Sequence, residues 1–234
     1  MKPSKNRLLI TIFIYGVLCS ACASLSDRER RNNFIQQYRE YQSHARTGYA
    51  AINKKQYVEA IEHYSKAIEL SPFVASYYYY RGLAWFRKGN KEKAIEDFDR
   101  VIVLDSRWRF AYVYRGLCHV KKEQYEKALS DYKQALSLKH DDATIHNNLA
   151  WLYATAKDKE FQDKAKALEH ALKAVELSKE KNAEILDTLA RAYYINGKVK
   201  EAIETEKKTL KLAPKNETFK KKLEEYEKVS SIDD

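Results

Sequence analysis

The chain has 234 residues, of which only 6 are Gly and 3 are Pro, too little turn-forming punctuation for a fold of many short strands. A hydrophobic content of 44%, with Ala, Leu, Glu, Lys and Tyr prominent, excludes disorder over most of the length and favours helix. The formal charge of +10 points towards nucleic acid until its distribution is read. Lys and Arg alternate with Glu and Asp, as in Lys91-Glu92-Lys93 or Lys221-Lys222-Leu223-Glu224-Glu225. That is the pattern of a solvated, mixed-charge face, so no nucleic-acid partner is expected.

The first predicted element is an export signal. Residues 1–7 carry Lys2, Lys5 and Arg7 and no acid, and residues 8–18 form an apolar run too short to span a bilayer as a helix. The run ends in Leu18-Cys19-Ser20-Ala21-Cys22, which resembles the lipobox of bacterial lipoproteins, with Cys19 departing from the usual aliphatic residue. The resemblance implies removal of a signal peptide of residues 1–21 and lipidation of Cys22. Several acyl chains would make that attachment stable, where one would be marginal. Ala23 is not the Asp that marks inner-membrane retention, which implies an exported protein on the outer membrane, facing the periplasm, in a host with two membranes. Ala21-Cys22-Ala23 also reads as an ordinary small-x-small cleavage site that would release a soluble protein starting at Ser24. A polar lead, helical or flexible, follows over residues 22–40.

From there the chain repeats itself. Gly48, Gly82, Gly116 and Ala150 follow at intervals of 34, with Ala190 after a further 40. Ala60, Ala94, Ala128, Ala167 and Ala202 form a second column, and Leu70, Leu104, Leu138, Leu177 and Leu212 stand 10 residues beyond each. Fixed periods of this size predict a stacked solenoid. The units run over residues 41–74, 75–108, 109–142, 143–182 and 183–216. In the second, Tyr78, Gly82 and Trp85 share one helix face and Ala94, Phe98 and Val101 share another, so each unit is a hairpin of two helices brought close by small residues. Gly89-Asn90 and Asn196-Gly197 mark turns, and Pro72 and Pro214 follow second helices. Unit four carries extra residues around 157–163, expected to project into water. Residues 217–234 supply a capping helix bearing Phe219, Leu223 and Tyr226, and a tail.

The stretches Tyr80-Arg81-Gly82-Leu83-Ala84-Trp85 with Lys93-Ala94-Ile95-Glu96-Asp97-Phe98, and Tyr114-Arg115-Gly116-Leu117 with Lys127-Ala128-Leu129-Ser130-Asp131-Tyr132, are similar to tetratricopeptide (TPR) repeats. The resemblance covers about residues 41–216. Departures lie at His44 and Thr47 in unit one and at Ala171 and Glu206, which replace the aromatic of the second helix in units four and five. The fold class expected is all-α: a right-handed solenoid of five TPR-like helix-turn-helix repeats plus a C-terminal capping helix.

The sequence contains no phosphate loop, no His-Glu-x-x-His, no paired Cys motif and no Gly-x-Ser-x-Gly. The six histidines are scattered, and Cys118 reads as a small buried hydrophobe. No enzyme activity, cofactor or metal is expected. First-helix positions that line a concave groove in the resembled family hold Tyr49, then Tyr79, Leu83 and Phe86, then Phe110, Asn147 and Trp151, and finally Arg191 and Tyr194. These are the partner-binding candidates, with Ile52, Val113, Leu117, Val120 and Asp187 beside them. Packing against the neighbouring unit is the competing role for the apolar ones. The Lys and Asn clamp for a terminal carboxylate is missing, since Ala45, Tyr49, Tyr79 and Leu83 stand in its places.

The expected function is that of a membrane-tethered scaffold or adaptor binding a protein or peptide segment in the cell envelope. Two rivals stand beside it: a self-associating structural envelope lipoprotein, hence a homo-oligomer, and an accessory subunit of a cell-wall enzyme.

Overall fold

The structure is a computed structural model and describes residues 26–231. The predicted signal peptide and the Cys22 lipidation site lie outside the described residues. Among the described residues all regular structure is helical, and the chain divides into two compact units, Met1–Pro72 and Phe73–Asp234.

The first unit is one hairpin of α1 (Asp27–Asn53) and α2 (Tyr57–Leu70). Ser26 caps α1 reciprocally: its hydroxyl accepts from the Glu29 N–H, while the Glu29 carboxylate accepts from the Ser26 N–H at 2.8 Å. No Gly or Pro interrupts the chain from there to Gly48, so the lead from Asp27 onward is helical and runs unbroken into the first repeat. Gln37 donates to the Leu70 carbonyl at the end of α2 (3.1 Å), and α1 residues before it are exposed.

The second unit stacks four hairpins: α3 (Ala75–Lys88) with α4 (Lys91–Leu104), α5 (Arg109–Lys121) with α6 (Tyr125–Leu138), α7 (Ala143–Thr155) with α8 (Lys164–Ser178), and α9 (Ala183–Ile195) with α10 (Val199–Leu212). Each second helix packs on the first helix of the next hairpin, and the first helices α3, α5, α7 and α9 lie side by side. The final helix α11 (Glu217–Ser230) packs on α10, burying Phe219 and Tyr226, with Tyr226 against Ala190 and Ala202. The result is an all-α solenoid with a capping helix.

The small-residue columns have a geometric cause. A β-carbon at Gly48, Gly82 or Gly116 would come within 2.9 Å of Tyr64, 2.9 Å of Phe98 and 2.6 Å of Tyr132 respectively. Glycine on the first helix is therefore the counterpart of an aromatic ring on the second. Where that ring becomes Ala171, the glycine becomes Ala150, and both pack in one core cluster. The second-helix position just before that ring differs in chemistry between repeats, and so does the first-helix residue it meets. In the second and third repeats Arg81 pairs with Asp97 and Arg115 with Asp131, each through two hydrogen bonds. In the first and fourth, two imidazoles meet instead, His44 with His63 and His146 with His170, with Nδ1 atoms 3.0 Å apart in both.

Two expectations need correction. The insertion of unit four does not project freely: Phe161 packs on the core against Tyr125, whose hydroxyl accepts from the Lys157 N–H (3.0 Å), and the Asp163 N–H donates to the Tyr153 carbonyl. An aromatic between charged residues still gains by leaving water when a ring lies within reach. Lys222, read as part of a solvated face, is largely covered, pairs with Asp187 and lies over Trp151.

Candidate functional site

The first helices present their outward residues as one row, and the two ends of that row differ. At the α3 end the rings close on each other. Tyr79 is half-buried, with the Tyr80 and Trp108 rings each 5.3 Å away and Tyr114 and Phe98 just beyond. Burial, reinforced by Tyr114 and Tyr80, pushes its phenol pKa upward. Phe86 meets Tyr114 edge-on at 5.7 Å, and Leu83 packs in the same cluster. These side chains join α3 to α5. Val113 is buried, and Leu117 and Val120 pack on the core of the next hairpin.

Beyond them the row opens. Phe110 is 47% exposed, flanked by the Arg109 guanidinium at 4.3 Å, and lines an open cleft with Trp108 and Leu138. Trp151 is 38% exposed and has two cations over its ring, Arg191 from α9 at 5.8 Å and Lys222 from α11 at 5.7 Å. Asp187 accepts from Lys222, and Tyr194 stacks on Tyr226 at 4.5 Å. Several buried polar atoms here have no hydrogen-bond partner among the described residues: Asn147 Oδ1, Asn148 Nδ2, Arg191 Nε and both carboxylate oxygens of Glu206. Burial, then repulsion from Asp187, raises the Glu206 pKa to about 7 against the pull of Lys222.

The structure thus gathers Asn147, Trp151, Arg191 and Tyr194 at the C-terminal end, places Tyr79, Leu83 and Phe86 within a ring cluster, and leaves Phe110 at a separate opening. Tyr49 belongs to the first unit, on α1, and is 50% exposed. Sequence reading missed Lys222 and Glu206. Glu206 was detectable as the acid that breaks the aromatic column, whereas a lysine within a run of alternating charges carries no local signal. Among the described residues no group of three or more His, Cys, Asp or Glu side chains could hold a metal ion. Burial drives the Cys118 thiol up to about 12, away from the thiolate a nucleophile requires.

Residues 46–107 match the model of the tetratricopeptide repeat, and residues 116–156 match that of the TPR repeat. The chain is a TPR-repeat protein. Residues 154–231 of this TPR protein also match the model of the prolyl 4-hydroxylase peptide-substrate-binding domain. No curated protein matches it significantly.

Several solved structures share its fold. A thermophilic TPR protein of Thermus thermophilus, TTC0263, is 21% identical, with a TM-score of 0.65 over 80% of this chain and 98% of that one. MamA from Desulfovibrio magneticus RS-1 is 20% identical, with a TM-score of 0.63 over 76% of this chain and 97% of that one. The APC/C hetero-tetramer Cut9-Hcn1 contains a chain 17% identical, with a TM-score of 0.72 over 83% of this chain and 38% of that one. At these identities the likeness is one of fold.

Proposed function

We propose that this TPR protein is a non-enzymatic scaffold that captures an extended segment of a partner protein at the C-terminal end of its groove, while lipid on Cys22 holds it on a membrane of the cell envelope. The observation that carries the binding reading is Trp151, a large ring left partly open with Arg191 and Lys222 over it. An exposed aromatic gains most on desolvation. Lys222 is already paired with Asp187, so the Arg191 guanidinium is the charge that favours a partner carrying an acidic side chain beside an apolar one. The peptide-substrate-binding domain whose family model matches residues 154–231 is in keeping with peptide binding in this half of the chain, on helices next to Trp151. Phe110 and the exposed edges of Tyr79, Leu83 and Phe86 extend the surface for a longer segment. The mechanism is passive display: the packed hairpins hold the groove rigid and the anchor confines it to a surface.

The test is affinity purification from solubilised envelopes with the wild-type chain, Trp151→Ala with Arg191→Ala, and Lys211→Glu as a distant surface control. The double variant is expected to lose the partner while retaining its helical circular dichroism, and the control to keep it. Equal recovery by the double variant would remove the groove from function. Mass spectrometry of the mature amino terminus decides the anchor, because an unmodified terminus at Ser24 is incompatible with it.

A further inference from the structure

The N-terminal part of α1 has a surface that its own hairpin does not use. Contact with α2 reaches back to Gln37, so about ten residues, some 15 Å of helix, stand beyond it. The apolar side chains there and just beyond Gln37 are largely in water: Phe34 is 67% exposed, Ile35 39%, and Tyr38 48% with one edge against Tyr41. At about 100° per residue these three fall within an arc of about 100°. The arginines of the same stretch gather around them: Arg28, Arg31 and Arg39, all exposed, fall inside that arc or within about 40° of its edge. Glu29 and Glu40 lie on the opposite side, while the one acid inside the arc, Asp27 in the first turn, is offset by its ion pair with Arg30. A row of arginines beside an aromatic stripe, with the glutamates turned away, is complementary to a surface that is both negative and apolar just beneath.

We infer that residues 27–39 form an interfacial helix that lies on an anionic lipid surface, with Phe34, Ile35 and Tyr38 in the headgroup region and Arg28, Arg31 and Arg39 on lipid phosphates. This rests on the reading that the chain reaches a membrane. Only residues 23–26 separate Cys22 from α1, a reach of about 17 Å, so an anchored chain has its exposed stripe at the bilayer surface. The helix then fixes how the first repeat stands on the membrane, which a flexible tether would not do.

The test uses the chain from residue 22 onward carrying Cys22→Ser, so that neither the signal peptide nor an acyl chain contributes, with Phe34→Trp as a probe and the chain lacking that probe as background. Vesicles of phosphatidylcholine with brominated acyl chains are compared with the same vesicles containing phosphatidylglycerol. The expected result is a blue shift and quenching of the indole at position 34 that require phosphatidylglycerol and weaken with salt. Arg28→Glu with Arg31→Glu and Arg39→Glu should abolish both, each arginine contributing about fivefold to vesicle affinity. Circular dichroism should stay unchanged, because these side chains are exposed. An unquenched indole, or equal quenching in the charge-reversed chain, would overturn the proposal. So would a blue shift that needs no vesicles and grows with protein concentration, which assigns the stripe to a second copy of the chain. Quenching here together with an unmodified Cys22 in cells would defeat the anchor while leaving the interfacial helix standing.

Discussion

A β-carbon added at Gly116 would stand 2.6 Å from Cε1 of the Tyr132 ring, nearer than carbon atoms pack. Tyr132 is fully buried and has no empty space to turn into. Gly116→Ala is therefore expected to destabilise by about 1–3 kcal/mol even though Ala favours helix by about 1 kcal/mol. Tyr132→Leu in the same chain should return much of the loss, because the smaller side chain vacates the contact. Denaturant titration followed by circular dichroism measures both, and additive losses would disprove the pairing.

The turn register carries a left-handed residue at Lys55 (φ 60°), Gly89 (φ 92°), Glu123 (φ 59°) and Gly197 (φ 75°). Non-glycine residues pay about 1–2 kcal/mol for that backbone, offset in part by the freedom glycine adds to the unfolded chain. Lys55→Gly is expected to stabilise by about 0.5–1 kcal/mol and Gly89→Ala to destabilise by a similar amount. Shifts of melting temperature with opposite sign would bear this out.

Asp131 and Asp99 both receive Arg115, but Asp131 is 5% exposed and Asp99 52%. Asp131→Ala removes the covered partner of a half-buried guanidinium and should cost about 2–3 kcal/mol. Asp99→Ala removes a solvated partner and should cost less than about 1 kcal/mol. Comparable losses in chemical denaturation would show that burial does not govern this network.

Two buried groups predict opposite pH slopes. Glu206 is raised to about 7 by burial and by Asp187, with Lys222 opposing. Between the ordinary carboxyl range and about pH 7 the folded state holds a proton that the unfolded state has lost, so this contribution to stability falls as pH rises. His170 is lowered from 6.5 by burial and by His146, with Lys166 acting the same way and Glu169 opposing. There the unfolded state takes up its proton first, so stability falls as pH drops through about 6.5. Glu206→Gln should raise the melting temperature above neutrality and change it little in acid, while His170→Asn should reduce the loss in acid. A pH profile of thermal unfolding separates the two, and parallel profiles for both variants would refute the assignment.

The sequence by itself determined the repeat and its local chemistry, because these depend on residues within one hairpin. The columns led by Gly48 and Ala60 recur where two helices must approach, and Gly89-Asn90 appears where one stops. Asn90 caps α4 by accepting from the Lys93 N–H, a bond within four residues that needs no distant partner. Tertiary structure decided which surface side chains stay open. Tyr79 and Trp151 both sit on outward faces of first helices, but Tyr79 meets Trp108 and Tyr114 of the next hairpin, whereas Trp151 meets Arg191 and Lys222. Rings of the next hairpin cover the face of Tyr79, while the cations over Trp151, one of them tied to Asp187, leave part of its ring open. The size and charge of residues one or two repeats away thus set the exposure of each aromatic. The same non-local cause draws Phe161 onto Tyr125 and Lys222 into the groove.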